Sequence, residues 1–207
     1  MPDPPQSLYF ATPAGDGHRR TLPVTLAGRD VEVETSDGVF SGGRVDLGTR
    51  VLLREVPDPP AGPGDLLDLG CGWGPVALSM ALRAPEATVW AVDVNERAVA
   101  LTAANARRLG LPRVRAVTPP QVPDTVRFAA IWSNPPIRVG KDALHDLLLR
   151  WLPRLAPGGA AHLVVQRNLG ADSLHEWLAA QAPDGGPPLR VTRTGSAKGY
   201  RVLRVER

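Results

Sequence analysis

The sequence has one cysteine, Cys71, which excludes an intramolecular disulfide and a cysteine-based metal cluster. It sits among glycines, where a small side chain filling a tight loop is the simpler reading than a catalytic thiol. Lysine is nearly as scarce, with only Lys141 and Lys198, so the positive charge rests on arginine. The net charge of +3 and pI near 9.6 permit a phosphate-bearing partner, yet no long basic run demands one. No apolar run approaches the ~18 residues of a membrane span. The start Met1-Pro2-Asp3-Pro4-Pro5 lacks the basic and apolar regions of a signal peptide, so a cytoplasmic protein is expected. The four histidines, His18, His145, His162 and His175, are scattered, and no metal is expected. At 207 residues and 22.1 kDa the chain is in the range of one domain with one full core.

What is present centres on Leu66-Leu67-Asp68-Leu69-Gly70-Cys71-Gly72-Trp73-Gly74. A short apolar run closing on an acid reads as a buried parallel strand. Gly70, Gly72 and Gly74 let the backbone turn sharply and approach a ligand, and Pro75-Val76-Ala77-Leu78 opens a helix. The dinucleotide fingerprint requires a sixth-position glycine, where this chain has Pro75, and the Gly-Lys-Ser/Thr of a phosphate loop is absent. The remaining pattern, Asp-x-Gly-x-Gly-x-Gly, resembles the first motif of Rossmann-like S-adenosylmethionine-dependent methyltransferases. There the glycines make room for the methionine moiety, with Asp68 supporting the loop.

A second acid follows at the spacing of a ribose ligand. Thr88-Val89-Trp90-Ala91-Val92-Asp93 is another apolar strand ending in a carboxylate, and it begins about 20 residues after the loop. Asp93 can accept from both ribose hydroxyls, or it can cap the helix that carries Ala98, Leu101, Thr102 and Leu109. Asn95 is available for that capping.

The third strand end suggests the chemistry. Phe128-Ala129-Ala130-Ile131-Trp132-Ser133 reads as a buried strand leading into Asn134-Pro135-Pro136-Ile137. Each proline forces its predecessor out of the helical region, leaving rigid extended carbonyls beyond the strand ends. An aromatic amine is a weak nucleophile because its lone pair is delocalised. The Asn134 side-chain oxygen and the Pro135 carbonyl can hold both amine hydrogens and aim that lone pair at a sulfonium methyl.

Together these motifs make the chain from about Asp30 onward similar to the RsmC-like small-domain class I methyltransferases, which act on the exocyclic amine of guanine in small-subunit ribosomal RNA. The resemblance also uses Gly38-Val39-Phe40-Ser41, Val45-Asp46-Leu47-Gly48-Thr49, and Thr194-Gly195 with Lys198-Gly199-Tyr200-Arg201-Val202. It implies S-adenosylmethionine held by Asp68, Gly70, Gly72, Gly74, Asp93, Asp46 and Thr49, and ribosomal RNA or the small subunit as partner. It further implies catalysis by Asn134 and Pro135, with Phe40, Pro136, Ile137, Arg138, Lys141 and Lys198 facing substrate. Two departures stand out. Related enzymes commonly place an aromatic where Ile137 stands, and often an acid or amide where Thr118-Pro119-Pro120 stands. Asn-Pro-Pro motifs elsewhere serve adenine amines and protein glutamine amides, and a cofactor-binding RNA chaperone without turnover is the reading from another class.

The rest completes an α/β alternation. Leu144, Leu147, Leu148, Trp151, Leu152 and Leu155 recur at helical spacing up to Pro157-Gly158-Gly159. A strand follows at Ala160–Val165 and a helix at Ser173–Leu178. After the turn-rich Pro183–Pro188 come strands at Leu189–Val191 and Tyr200–Val205. This order predicts a mostly parallel twisted sheet with helices on both faces, and the resemblance adds a seventh, antiparallel strand. Residues 1–60 are expected to be an arm, loose to about Arg29, and a β extension; 61–207 are expected to be the methyltransferase domain.

Overall fold

The computed structural model describes residues 18–39, 44–136 and 140–207. Phe40, Ile137 and Arg138 therefore lie outside the described residues.

A seven-stranded sheet organises the chain. Its strands are β3 (Asp65–Leu69), β4 (Thr88–Val92), β5 (Val114–Val117), β6 (Phe128–Ser133), β7 (Leu155–Gln166), β8 (Arg190–Ala197) and β9 (Tyr200–Glu206). Their spatial order is β5-β4-β3-β6-β7-β9-β8. The first five are mutually parallel, and β9 runs antiparallel between β7 and β8, as the resemblance implied. Strand order reverses between β3 and β6, which puts a ligand crevice beyond their carboxyl ends.

The apolar runs are continuous because both faces are covered. Leu67, Leu69, Trp90, Val92 and Ile131 pack toward α4 (Lys141–Trp151) and α5 (Ala171–Ala179). Their neighbours Leu66, Val89, Ala91, Ala130 and Trp132 pack toward α1 (Leu47–Glu55) and α2 (Pro75–Arg83). The pleat thus divides each strand between two cores. α3 (Glu96–Arg108) joins the third cluster, with Trp73, Leu26 and Val33. No described helix is long and apolar enough to cross a membrane.

Four expectations need correction. The segment before Arg29 is not loose throughout: β1 (Arg19–Leu26) pairs with β2 (Arg29–Ser36) as a hairpin over α2 and α3. Its Ala27-Gly28 turn has φ of 48° and 75°, suited to the twist of a two-residue hairpin. The helix expected to run to Leu155 stops at Trp151, because Pro153 tightens the chain into a 3₁₀ turn at Leu152–Arg154. Leu155 then opens β7, which continues through Pro157-Gly158-Gly159 at a register shift against β6. A Cβ on Gly159 would lie 2.8 Å from the Phe128 carbonyl oxygen, so only glycine passes there. Finally, α5 starts at Ala171 and β8 extends to Ala197.

Candidate functional site

The glycine loop is pinned at the crevice by backbone bonds. Gly70 and Cys71 N–H both donate to the Val92 carbonyl (2.8 and 3.1 Å), and Gly74 N–H closes back on the Cys71 carbonyl (2.9 Å). Gly74 has φ 98°, and a Cβ there would sit 3.0 Å from Thr102 Cγ2 and Oγ1, so glycine allows both the turn and close packing on α3. Gly74 offers no side chain to cap α2; Asp68 supplies the cap from β3, its Oδ2 accepting from Ala77 N–H at 2.9 Å.

Asp68 is 1% exposed, and burial pushes its carboxyl up to about 8; the Ala77 amide opposes the rise and the nearby Asp93 charge adds to it. The folded protein therefore holds a proton that the unfolded chain releases from about pH 4 upward. This group's share of stability is present below pH 4 and is lost as pH rises toward 8. Asp68→Asn, which keeps an acceptor for Ala77, is expected to remove that slope. Urea unfolding of both proteins from pH 4 to 8 checks it: parallel stability profiles would contradict a neutral Asp68. Cys71 is also buried, and burial drives its thiol well above the usual range, in keeping with a packing role.

Asp93 Oδ2 accepts from Gly72 N–H and Oδ1 from Asn95 N–H, both at 2.9 Å. Asn95 itself caps α3 by accepting from Arg97 N–H (3.0 Å). The Gly72 peptide is held at its other end by Thr102 Oγ1, which donates to the Gly72 carbonyl (2.9 Å). The sequence pattern assigns Thr102 only to the packed stripe of its helix. Burial raises the Asp93 carboxyl, while the Asn95 and Gly72 amides pull it down. A carboxylate has about four acceptor sites, so the chemistry of Asp93 is compatible with a pair of donating hydroxyls.

Asn134, at the end of β6, is fixed by Asp46 and Thr49. Its Nδ2 donates to Asp46 Oδ2 (2.9 Å) and to Thr49 Oγ1 (3.1 Å). An ionised carboxylate only accepts, so the amide must turn its NH₂ toward Asp46 and leave Oδ1 as the outward acceptor. The same Asp46 oxygen caps α1, accepting from Gly48 N–H (2.8 Å) and Thr49 N–H (3.2 Å). Between them lies Gly48, where a Cβ would meet Tyr200 Cε1 at 2.9 Å, Asp46 Oδ2 at 3.0 Å and Asn134 Nδ2 at 3.3 Å. Gly48 and Tyr200 are thus site neighbours to which the sequence pattern gives no role. Ser133 Oγ donates to the Leu69 carbonyl (2.6 Å), tying the two strand ends together.

One concavity gathers Asp46, Thr49, Gly70, Cys71, Gly72 and Asn134, with Trp73, Pro75 and Val76 completing its wall. Asp93 adjoins it through Gly72, and Asp68 lies beneath. Pro135 is buried and Pro136 exposed. Lys141 and Lys198 are exposed and do not line this concavity. Lys198 occupies the first position of the two-residue β8–β9 turn with φ 49°, which non-glycine residues other than Asn and Asp adopt at a cost of roughly 1 kcal/mol. Lys198→Asn should raise stability by about 0.5–1 kcal/mol in chemical unfolding, while weakening any RNA contact the ammonium makes.

Residues 30–182 match the methyltransferase small domain family model. The chain is 32% identical over 205 residues to the uncharacterized protein YbxB of Bacillus subtilis (strain 168), covering 98% of each. It is 36% identical to ribosomal RNA small subunit methyltransferase C of Pseudomonas paraeruginosa (strain DSM 24068 / PA7), over 73% of this chain and 46% of that protein. To ribosomal RNA large subunit methyltransferase G of Shewanella sp. (strain W3-18-1) it is 33% identical, over 76% and 45%. The chain thus spans about half the length of these ribosomal RNA methyltransferases. In fold it is similar to a T. thermophilus 16S rRNA methyltransferase (RsmC) in complex with AdoMet and guanosine, with TM-score 0.75 and 24% identity over 94% of this chain and 52% of that one.

Proposed function

The chain belongs to the methyltransferase small domain family, S-adenosylmethionine-dependent enzymes, and from that premise we propose that it methylates the exocyclic amine of a guanine in ribosomal RNA, that of the small subunit. The observation that carries this reading is the orientation of Asn134: with both Nδ2 hydrogens committed to Asp46 and Thr49, its Oδ1 is the acceptor left for a substrate amine.

S-adenosylmethionine supplies an electrophilic methyl group on a positively charged sulfur. In the proposed site Gly70 and Gly72 would accommodate the methionine end and Asp93 the ribose, while Asp46 and Thr49, which line the same concavity, also hold Asn134. Asn134 Oδ1 and the Pro135 carbonyl accept the two amine hydrogens, which restricts the nitrogen to the geometry in which its lone pair faces the methyl carbon. Methyl transfer would leave the amine nitrogen with a surplus proton, which the hydrogen bonds to Asn134 Oδ1 and the Pro135 carbonyl would lead toward water. Positioning supplies the acceleration, and no general base of matched pKa is required.

The similarity to both large- and small-subunit enzymes supports ribosomal RNA as the substrate class. The test is transfer of labelled methyl from S-adenosylmethionine to 16S RNA, 23S RNA, isolated subunits, DNA and a release factor. Label recovered as N2-methylguanosine from one ribosomal RNA is expected. Label in adenine or in protein glutamine would replace the acceptor.

A further inference from the structure

A second concavity lies on the other side of α1 from Asn134, between that helix and the β1–β2 hairpin. Arg44, Arg50, Arg54 and Arg83 line it over the partly buried Leu22 and Val24, with no acidic side chain in its wall among the described residues. Its volume of about 460 Å³ is in the range of roughly 300–1,000 Å³ typical of ligand sites.

On the hairpin's other surfaces the arginines meet carboxylates: Arg19 with Glu34 (3.1 Å), Arg20 with Asp37 (2.6 Å) and Arg108 with Glu32 (3.0 Å). In the groove, Arg50 is exposed and has no ion pair among the described residues. Among the described residues Arg54 pairs with its chain neighbour Glu55 (2.7 Å), and this pair, like those of the hairpin, is exposed enough for solvent to keep it weak. Arg83 is oriented by its bond to the Leu53 carbonyl (2.9 Å) and reaches Asp58 at 3.5 Å, an acid that is 82% exposed. Guanidinium groups arrayed over an apolar floor match phosphate oxygens above ribose, and Arg prefers such planar bidentate recognition.

The groove and the described site are separate concavities built on one segment of chain. Arg44 and Arg50 bracket Asp46 and Thr49, so the segment that orients Asn134 on one side presents guanidinium groups on the other. We infer that this groove holds the phosphate backbone of single-stranded RNA flanking the target nucleotide, delivering that nucleotide over α1 to Asn134. The inference rests on RNA being the acceptor. It makes the hairpin and α1 the source of sequence-independent affinity, while the Asn-Pro-Pro loop selects the atom modified.

The test uses the intact protein and a fluorescein-labelled oligouridylate, with affinity measured by anisotropy across a potassium chloride series. The double variant Arg50→Ala/Arg54→Ala should reduce the slope of log K against log salt by about 1.4, about 0.7 for each phosphate no longer neutralised. Arg108→Ala, which removes an arginine paired outside the groove, should leave the slope unchanged. Arg50→Glu alone reports the same loss if the double variant is unstable. An unchanged slope in the groove variants overturns the inference, as does equal binding of polyglutamate, which would indicate an acidic protein partner. A slope change in a protein that methylates no RNA would remove the proposed acceptor and keep the groove. Methylation of RNA with an unchanged slope would do the reverse.

Discussion

Asn134→Ala should lower the single-turnover rate of methyl transfer by roughly 10²- to 10³-fold while leaving cofactor affinity within about threefold. The size follows from what the side chain does. It forms no bond within the glycine loop, so its removal does not disturb Gly72 or Asp93. It holds one of two acceptors that restrict the amine nitrogen, and a misplacement of about 1 Å at a reacting centre can cost about 10² in rate. Asp46 survives the change as the cap of α1, since Gly48 and Thr49 still donate to it. Asn134→Asp should do worse, because it sets a second carboxylate where Nδ2 donated to Asp46 at 2.9 Å. Rapid-quench assays with saturating RNA, paired with calorimetry of S-adenosylhomocysteine binding, separate the outcomes. A raised KM with unchanged kcat would make Asn134 a uniform binding contact, not a catalytic residue.

The largest effect on stability is expected at Asn105, which is fully buried in α3. Its Oδ1 accepts from Glu34 N–H (2.7 Å), and its Nδ2 donates to the carbonyls of Glu34 and Trp73, both at 2.9 Å. One amide therefore joins β2, α3 and the glycine loop. Asn105→Ala leaves several backbone groups without partners, each unsatisfied buried group costing about 1–3 kcal/mol. A loss of about 3 kcal/mol in unfolding free energy is expected. Hydrogen exchange should quicken in β2 and in Gly72–Gly74, and S-adenosylhomocysteine binding should weaken with it. A change below about 0.5 kcal/mol would mean that the hairpin and the loop are held independently.

β3, β4 and β6 are legible because each is a short apolar run, and they lead to a polar residue at the crevice: Asp68, Asp93 and Asn134. Burial on both faces produces that signal directly. β1 is hidden because it alternates arginine, threonine and Pro23 on an exposed face, with only Leu26 fully buried. α1 is hidden for a different reason: nine residues give only two turns of apolar spacing, and Asp46 reads as a site residue rather than as a cap. The polar residues Thr102 and Asn105 occupy helix positions that a pattern assigns to packing, yet both are buried to hold the glycine loop and the hairpin. The role of Gly48 has no local signature, because it exists only when Asn134, 88 positions beyond Asp46, and Tyr200 come together around it.

The most direct test of the central claim is mass spectrometry of nucleosides from the RNA of both ribosomal subunits, comparing a strain lacking this gene with its parent. The account predicts the loss of one N2-methylguanosine from small-subunit RNA, restored by the wild-type gene and not by Asn134→Ala. Unchanged methylated nucleosides in both subunits would contradict it and move the acceptor away from ribosomal RNA.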